Sequence, residues 1–181
     1  MPFVLLLGGA RSGKSALAVR LASGFSGSVV MVATAEGRDD EMRERIRRHR
    51  EERPPDWRTV EEPVELVAAI GESPADACVI VDCLTLWTSN LLERGWEGDA
   101  IESEAHRVAD TASSRSSPAI LVSNEVGLGI VPATPLSRAY RDILGRVNAI
   151  CAEAAEESLL VVAGRLVRLV PASGLGGFEL P

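Results

Sequence analysis

Five short apolar runs place the strongest constraint on how this chain folds: FVLLL (3–7), VVMVA (29–33), CVIVD (78–82), AILVS (119–123) and LLVVA (159–163). Each is short and aliphatic or β-branched, as a strand buried on both faces requires. Helical patterns fill the intervals, over 14–24, 38–52, 63–71, 85–113 with a break near Gly95 and Gly98, and 135–157. Strand and helix in alternation predict an α/β fold with a mostly parallel sheet and flanking helices. After the fifth run, Gly164-Arg165 offers a turn into LVRLV (166–170), which would add an antiparallel hairpin at one sheet edge. The helix from 135 is the most regular. Thr134 can cap it, Pro135 suits its first turn, and Leu136, Tyr140, Ile143, Val147, Ile150 and Ala154 recur as its core stripe.

The 181 residues, 46% of them hydrophobic, suit one domain over 1–171, with the glycine-rich segment 172–181 as a loose tail. A net charge of -7 argues against a general nucleic-acid binder, although it leaves room for a local basic patch that takes a small anion. Cys78, Cys83 and Cys151 are odd in number and form no CxxC pair, which predicts neither a disulfide framework nor a zinc site and fits a reducing cytoplasm. MPFVLLLGGA lacks the basic start and the apolar length of a signal peptide, and no later run approaches a membrane span.

GGARSGKS (8–15) satisfies G-x-x-x-x-G-K-S in the setting that gives the pattern meaning, with an apolar strand before it and ALAVRLA continuing as a helix. Glycines let backbone N–H groups converge on phosphate oxygens, and the helix N-terminus adds positive potential. Lys14 reaches the β- and γ-phosphates, and Ser15 can ligate Mg²⁺. Such loops recruit a second acidic group from the end of a neighbouring apolar strand, and CVIVD ends in Asp82. Asp82 also suits a cap for the helix that follows. NEVGLGIVP (124–132) leaves the fourth run at the sheet edge where open α/β folds place ligands, so Asn124 and Glu125 project there beside a loop loosened by Gly127 and Gly129. A plain turn is the competing reading.

The segment 38–52 pairs Asp39 with Arg43, Glu41 with Arg45 and Glu44 with Arg48 at four-residue spacing, as a solvated helix does. Its apolar residues, Met42 and Ile46, share a stripe with His49, which predicts that the imidazole faces the body of the protein. Arg45, Arg48, Arg50 and Arg53 surround it. Their charge disfavours an imidazolium and leaves a neutral ring able to act as a nucleophile, and the same guanidinium groups can hold a triphosphate. On composition alone a surface histidine of no catalytic consequence ranks above a catalytic one. His106, on a polar helix with Glu102, Glu104 and Arg107, carries a structural reading only. A P-loop kinase of some small alcohol, with His49 structural, and a nucleotide-binding switch or assembly module both remain compatible with these residues.

Taken in order, GGARSGKS, R-x₃-H-x₃-RP-x₂-W-x-T-x-E (Arg45 to Glu61), VDCLTLWTSNLL (81–92) and NEVGLGIVP resemble the bifunctional adenosylcobinamide kinase / adenosylcobinamide-phosphate guanylyltransferase family. The resemblance runs from residue 3 to about 170. It implies a RecA-type P-loop sheet, a homotrimer, and two reactions on one chain. Adenosylcobinamide is phosphorylated by a nucleoside triphosphate, ATP or GTP. GMP then passes from GTP, through a guanylylated histidine, to the new phosphate. His49 stands at that histidine's position. The resemblance further implies nucleotide contacts from Gly8, Gly9, Ala10, Arg11, Ser12, Gly13, Lys14 and Ser15, from Ala33, Thr34 and Ala35, from Arg50, Glu51, Glu52 and Arg53, and from Glu61 and Asp82. Glu61, whose carboxylate can accept from guanine N1–H and N2–H₂ together, is the candidate reader of the base.

Overall fold

A computed structural model describes residues 3–51 and 53–171. Seven strands form one sheet in the order β3-β2-β4-β5-β1-β6-β7. They are β1 (Phe3–Gly8), β2 (Val29–Ala33), β3 (Arg58–Glu61), β4 (Cys78–Asp82), β5 (Ala119–Val122), β6 (Glu157–Val162) and β7 (Arg165–Leu169). Every neighbouring pair is parallel except β6 and β7, which are antiparallel, so the expected fold class and terminal hairpin are both present. Among the described residues there are six helices: α1 (Lys14–Ser23), α2 (Asp40–Glu51), α3 (Leu66–Gly71), α4 (Leu84–Glu93), α5 (Gly98–Ser113) and α6 (Pro135–Ala154).

Side chains alternate across the pleat, and each face of the sheet therefore builds its own core. Phe3, Leu5, Leu7, Val30, Val32, Val79, Val81 and Leu121 face a large cluster closed by Leu66 and Ile70 of α3, Trp87 and Leu91 of α4, Ile101 and Val108 of α5, and Ile143, Val147 and Cys151 of α6. The opposite residues, Leu6, Val29, Met31, Ile80, Ile120 and Val122, meet Leu17, Ala18 and Ala22 of α1. Trp87 is completely buried and its indole N–H donates to the Val64 carbonyl at 2.7 Å, which satisfies the polar edge of an otherwise apolar ring.

Helix α2 differs from the rest in contributing no buried residue. It is laced by surface ion pairs, Arg43–Asp40 at 2.7 Å, Arg47–Glu44 at 2.7 Å and Arg48–Glu44 at 2.9 Å. Exposed pairs of this kind each contribute at most about 1 kcal/mol, whereas one fully buried leucine contributes about 2 kcal/mol. The helix that carries His49 is thus the one held by the least core packing.

The structure departs from the sequence expectations at several boundaries. Strand β3 has no apolar run to announce it, because an edge strand pairs on one side only and RTVE is largely exposed. Helix α2 begins at Asp40 rather than 38, since the Asp39 carboxylate accepts the Met42 N–H at 2.7 Å and stands at the cap. Helix α3 begins at Leu66, after the Glu62 side chain has accepted the N–H groups of Val64 and Glu65, both at 2.9 Å. Helix α6 stops at Ala154 because the Glu156 N–H already bonds the Phe3 carbonyl at 2.9 Å, and β6 starts at Glu157.

The hairpin turns at Ala163 (φ 49) and Gly164 (φ 71), one residue before the expected pair, as a two-residue turn with both central residues left-handed requires. The core stripe of α6 consists of Ile143, Leu144, Val147, Asn148 and Cys151, whereas Leu136 is 73% exposed because the first turns of the helix extend past the sheet. The cap itself is present, with Thr134 Oγ1 accepting the Ser137 N–H at 3.1 Å. Among the described residues no helix is long and apolar enough to cross a membrane. The expected tail, 172–181, lies outside the described residues.

Candidate active site

Parallel pairing sends the carboxyl ends of β1 to β5 to one edge of the sheet. The register there aligns Glu61 with Ala33, Ala33 with Asp82, and Asp82 with Val122, so four strands deliver a row of residues that are far apart in sequence. A cavity of about 540 Å³ opens over this row. Its walls are the phosphate loop and first turn of α1 (Ala10, Arg11, Ser12, Gly13, Lys14, Ser15, Ala16), the strand ends, and one face of α2 (Glu41, Met42, Glu44, Arg45, Ile46, Arg48, His49, Arg50). Its volume suits a small-molecule ligand.

The loop geometry follows from its glycines. Gly13 has φ 103, a conformation that L side chains rarely adopt, and it starts α1 directly before Lys14. A Cβ on Gly8 would lie 2.3 Å from the Val161 carbonyl oxygen, so the loop leaves β1 through a gap that only glycine fits. The hairpin turn braces the loop from outside, with Gly164 N–H donating to the Ser12 carbonyl at 3.0 Å. Lys14 is 7% exposed and its Nζ donates to the carbonyls of Gly8 (2.8 Å) and Gly9 (2.7 Å). Burial pulls its pKa below the ordinary 10.5, with the nearby charge of Asp82 opposing and that of Arg45 assisting.

Across the cavity, the Met42, Ile46 and His49 stripe is half-buried and turned toward the phosphate loop, so the helix presents its inward face to a cleft instead of a core. His49 Nδ1 stands 3.8 Å from Asp82 Oδ2. The arginines expected to crowd the imidazole are partly engaged by acids: Arg48 with Glu44 and Arg50 with Glu61. Arg53 is pulled below the usual guanidinium range by burial, with Asp82 acting in the opposite sense. Asp82 is therefore the carboxylate on which Lys14, Arg53 and His49 converge.

Most of the residues singled out from sequence meet here. Ala33, Ala35, Arg50, Arg53, Glu61 and Asp82 line the cavity with the loop residues Ala10 to Ser15 and His49. Gly8 and Gly9 are not among the lining residues but supply the carbonyls that Lys14 binds. Thr34 is fully buried, and its hydroxyl both accepts the Cys83 N–H and donates to the Cys83 carbonyl, at 2.8 Å each, so it holds the β4 end from beneath. Glu51 is exposed and paired with Arg47. Glu52 lies outside the described residues. Met42, Ile46, Cys83, Leu86 and Val122 were not singled out as site residues. Helical spacing from His49 finds the first two, and strand register finds Val122. Burial raises the Cys83 thiol to about 11, which leaves it protonated near neutral pH.

Ser15 and Asp82 supply a hydroxyl and a carboxylate to the same cavity. Among the described residues no three or more His, Cys, Asp or Glu side chains converge as a metal site. That donor set fits Mg²⁺, which keeps several waters and shares its remaining positions between one or two protein oxygens and phosphate oxygens.

Comparison with known proteins gives the family and the fold. A family model described as cobinamide kinase / cobinamide phosphate guanyltransferase matches residues 4–169. The chain is 45% identical over 161 residues to the bifunctional adenosylcobalamin biosynthesis protein CobP of Pseudomonas aeruginosa, covering 88% of this chain and 92% of that protein. It is 40% identical over 179 residues to the corresponding CobU protein of Escherichia coli, covering 92% of this chain and 98% of that one. Among solved structures it resembles a type III secretion system ATPase from pathogenic bacteria, with a TM-score of 0.58 at 13% identity, over 96% of this chain and 60% of that chain. It also resembles a Pyrococcus horikoshii OT3 protein, with a TM-score of 0.55 at 10% identity, over 92% of this chain and 85% of that chain. Identities this low speak for the fold alone.

Proposed function

Because the chain belongs to the cobinamide kinase / cobinamide phosphate guanyltransferase family, we propose that it runs both reactions in the cavity between the phosphate loop and α2. The observation that carries this reading is that Lys14 and His49, on opposite walls, line one cavity. Phosphoryl transfer needs little covalent chemistry from protein, whereas guanylyl transfer through the enzyme needs a nucleophile, and the two walls divide those tasks.

In the kinase step the loop amides and Lys14 hold the triphosphate of ATP or GTP. The bond between the γ-phosphorus and its bridging oxygen breaks, a new bond forms to the terminal hydroxyl oxygen of adenosylcobinamide, and the hydroxyl proton is released. Lys14 neutralises charge that builds on the leaving diphosphate. Ser15 and Asp82 would hold Mg²⁺, which supplies further charge neutralisation when bound. In the second step a His49 ring nitrogen attacks the α-phosphorus of GTP and pyrophosphate leaves. A phosphate oxygen of adenosylcobinamide phosphate then attacks the resulting phosphoramidate, the N–P bond breaks, and adenosylcobinamide-GDP is formed. Glu61 sits at the rim in an ion pair with Arg50, where a carboxylate can meet the guanine edge while the arginine meets phosphate.

The working unit is a single domain over 1–171 in a reducing cytoplasm, a setting that suits three free cysteines. Leu128, Ile130, Val131 and Leu136 are 84, 97, 65 and 73% exposed, an apolar surface that supports assembly as a homotrimer. Incubation with GTP labelled at the α-phosphate tests the reading. Acid-labile label retained on denatured protein and lost in His49→Ala is the expected result. Absence of covalent label, with kinase turnover intact, would leave a kinase alone.

A further inference from the structure

Asn124 lines the cavity at the sheet edge, between the phosphate loop and α2. Asn124 follows β5, the strand that lies between β1, which delivers the phosphate loop, and β4, which delivers Asp82. It lines the cavity with Lys14, Ser15 and Asp82. Its main chain is clamped on both sides. The Asn124 N–H donates to Thr85 Oγ1 at 2.7 Å, and its carbonyl accepts from Asn148 Nδ2 at 3.0 Å. The residues beside it are fixed too: Ser123 N–H donates to the Leu6 carbonyl at 2.9 Å, and Glu125 N–H donates to the Gly8 carbonyl at 3.1 Å. Ser123 Oγ donates to Asn148 Oδ1 at 2.6 Å.

This clamp is made of buried polar groups. Ser123 is 0%, Asn148 4% and Thr85 7% exposed. Burying hydroxyls and an amide beneath an apolar sheet is favourable only when each is bonded, and apolar side chains would fill the same space without that requirement. What the network accomplishes is placement. It holds the backbone of residue 124 fixed against the loop at Gly8 and against the first turn of α4 at Thr85. Among the described residues no hydrogen bond engages the Asn124 side-chain amide itself, so a donor and an acceptor carried on a clamped backbone line the cavity.

We propose that Asn124 is a catalytic residue of the phosphoryl-transfer step, its Nδ2–H donating to a γ-phosphoryl oxygen as the group moves from the triphosphate to the substrate hydroxyl. The proposal rests on the kinase reading above. A neutral donor suits this position. Lys14 already brings positive charge and Asp82 negative charge, and an amide adds a hydrogen bond to developing charge without altering that balance. Because the backbone that carries the donor is fixed before substrate arrives, only the side chain has to settle for transfer, which keeps reorganisation small. The same clamp sets the start of the exposed segment that includes Val126, Leu128, Ile130 and Val131.

Asn124→Ala and Asn124→Asp, each compared with the full chain for kinase turnover, nucleotide affinity, His49 labelling from α-labelled GTP and thermal melting, test the assignment. Expected for Asn124→Ala is a fall in kinase kcat of about 10²-fold, with the KM for triphosphate within about threefold and His49 labelling retained. Asn124→Asp, which replaces the N–H donor with a charge that repels phosphate, falls further. Thr85→Val, which loosens the clamp without touching the cavity amide, gives an intermediate loss in kcat at unchanged KM. Unchanged kcat in Asn124→Ala overturns the proposal, as does a parallel loss of kinase turnover, labelling and melting temperature, which would make the residue structural. Failure of the unsubstituted protein to phosphorylate adenosylcobinamide would remove the kinase reading itself, a result distinct from either.

Discussion

His49 Nδ1 and Asp82 Oδ2 lie 3.8 Å apart, bringing the proposed nucleophile on α2 to the carboxylate at the end of β4. A carboxylate on one side of an imidazole orients the ring and balances the positive charge that grows when the other nitrogen attacks an electrophile. Asp82→Asn keeps the size of the side chain and removes that charge. The rate of His49 guanylylation is expected to fall on the order of 10²-fold in single-turnover labelling. Kinase turnover is expected to fall as well, because Asp82 is the carboxylate proposed to help hold Mg²⁺ on the triphosphate. An unchanged labelling rate would separate Asp82 from the histidine.

Lys14 is the buried cation of the phosphate loop, and Lys14→Met keeps its length without its charge. Kinase kcat should drop about 10²- to 10³-fold, as for other groups that meet developing transition-state charge. Circular dichroism should stay close to that of the parent, because the two carbonyls that Lys14 binds lie at the very end of β1 and in the loop after it. Retention of full turnover would move the charge-stabilising role to another residue.

Glu61 holds its position through β3 and pairs with Arg50 at the cavity rim. Glu61→Gln retains one acceptor and loses the charge, so the preference for GTP over ATP in histidine labelling should shrink by about tenfold, the worth of one charge-assisted hydrogen bond. A GTP/ATP ratio equal to that of the parent rules out base reading by this residue.

Glu36 anchors the segment that enters α2. Arg94 and Arg38 donate to its carboxylate and hold it down from the ordinary 4.5 to about 2. A depressed carboxylate pKa contributes stability that is present above the unfolded value and disappears as pH falls toward the folded one. Urea midpoints should therefore separate Glu36→Gln from its parent above pH 4.5, and the two should converge between pH 4.5 and about 2. A constant difference across that window would mean that the pair contributes through packing alone.

Much of this molecule was legible from residue order. Apolar runs located all the strands buried within the sheet, and GGARSGKS after the first run identified the phosphate loop because glycine spacing and helix start act locally. Strand β3 escaped because an edge strand needs no apolar signature, and the exposure of Leu136 escaped because helical periodicity does not say where the sheet ends.

Helical spacing alone set Met42, Ile46 and His49 on one stripe. It did not reveal that the stripe faces a cleft: that depended on α2 crossing the carboxyl edge of the sheet without entering either core. Likewise, parallel register alone aligned Glu61, Ala33, Asp82 and Val122, and a buried network of Ser123, Asn148 and Thr85 fixed Asn124 beside them. Local chemistry is written in short stretches of chain, where backbone conformation and period are set by near neighbours. The meeting of Lys14, Asp82, His49 and Asn124 was decided only when four strands and two helices packed, because no sequence spacing encodes the distance across a sheet edge.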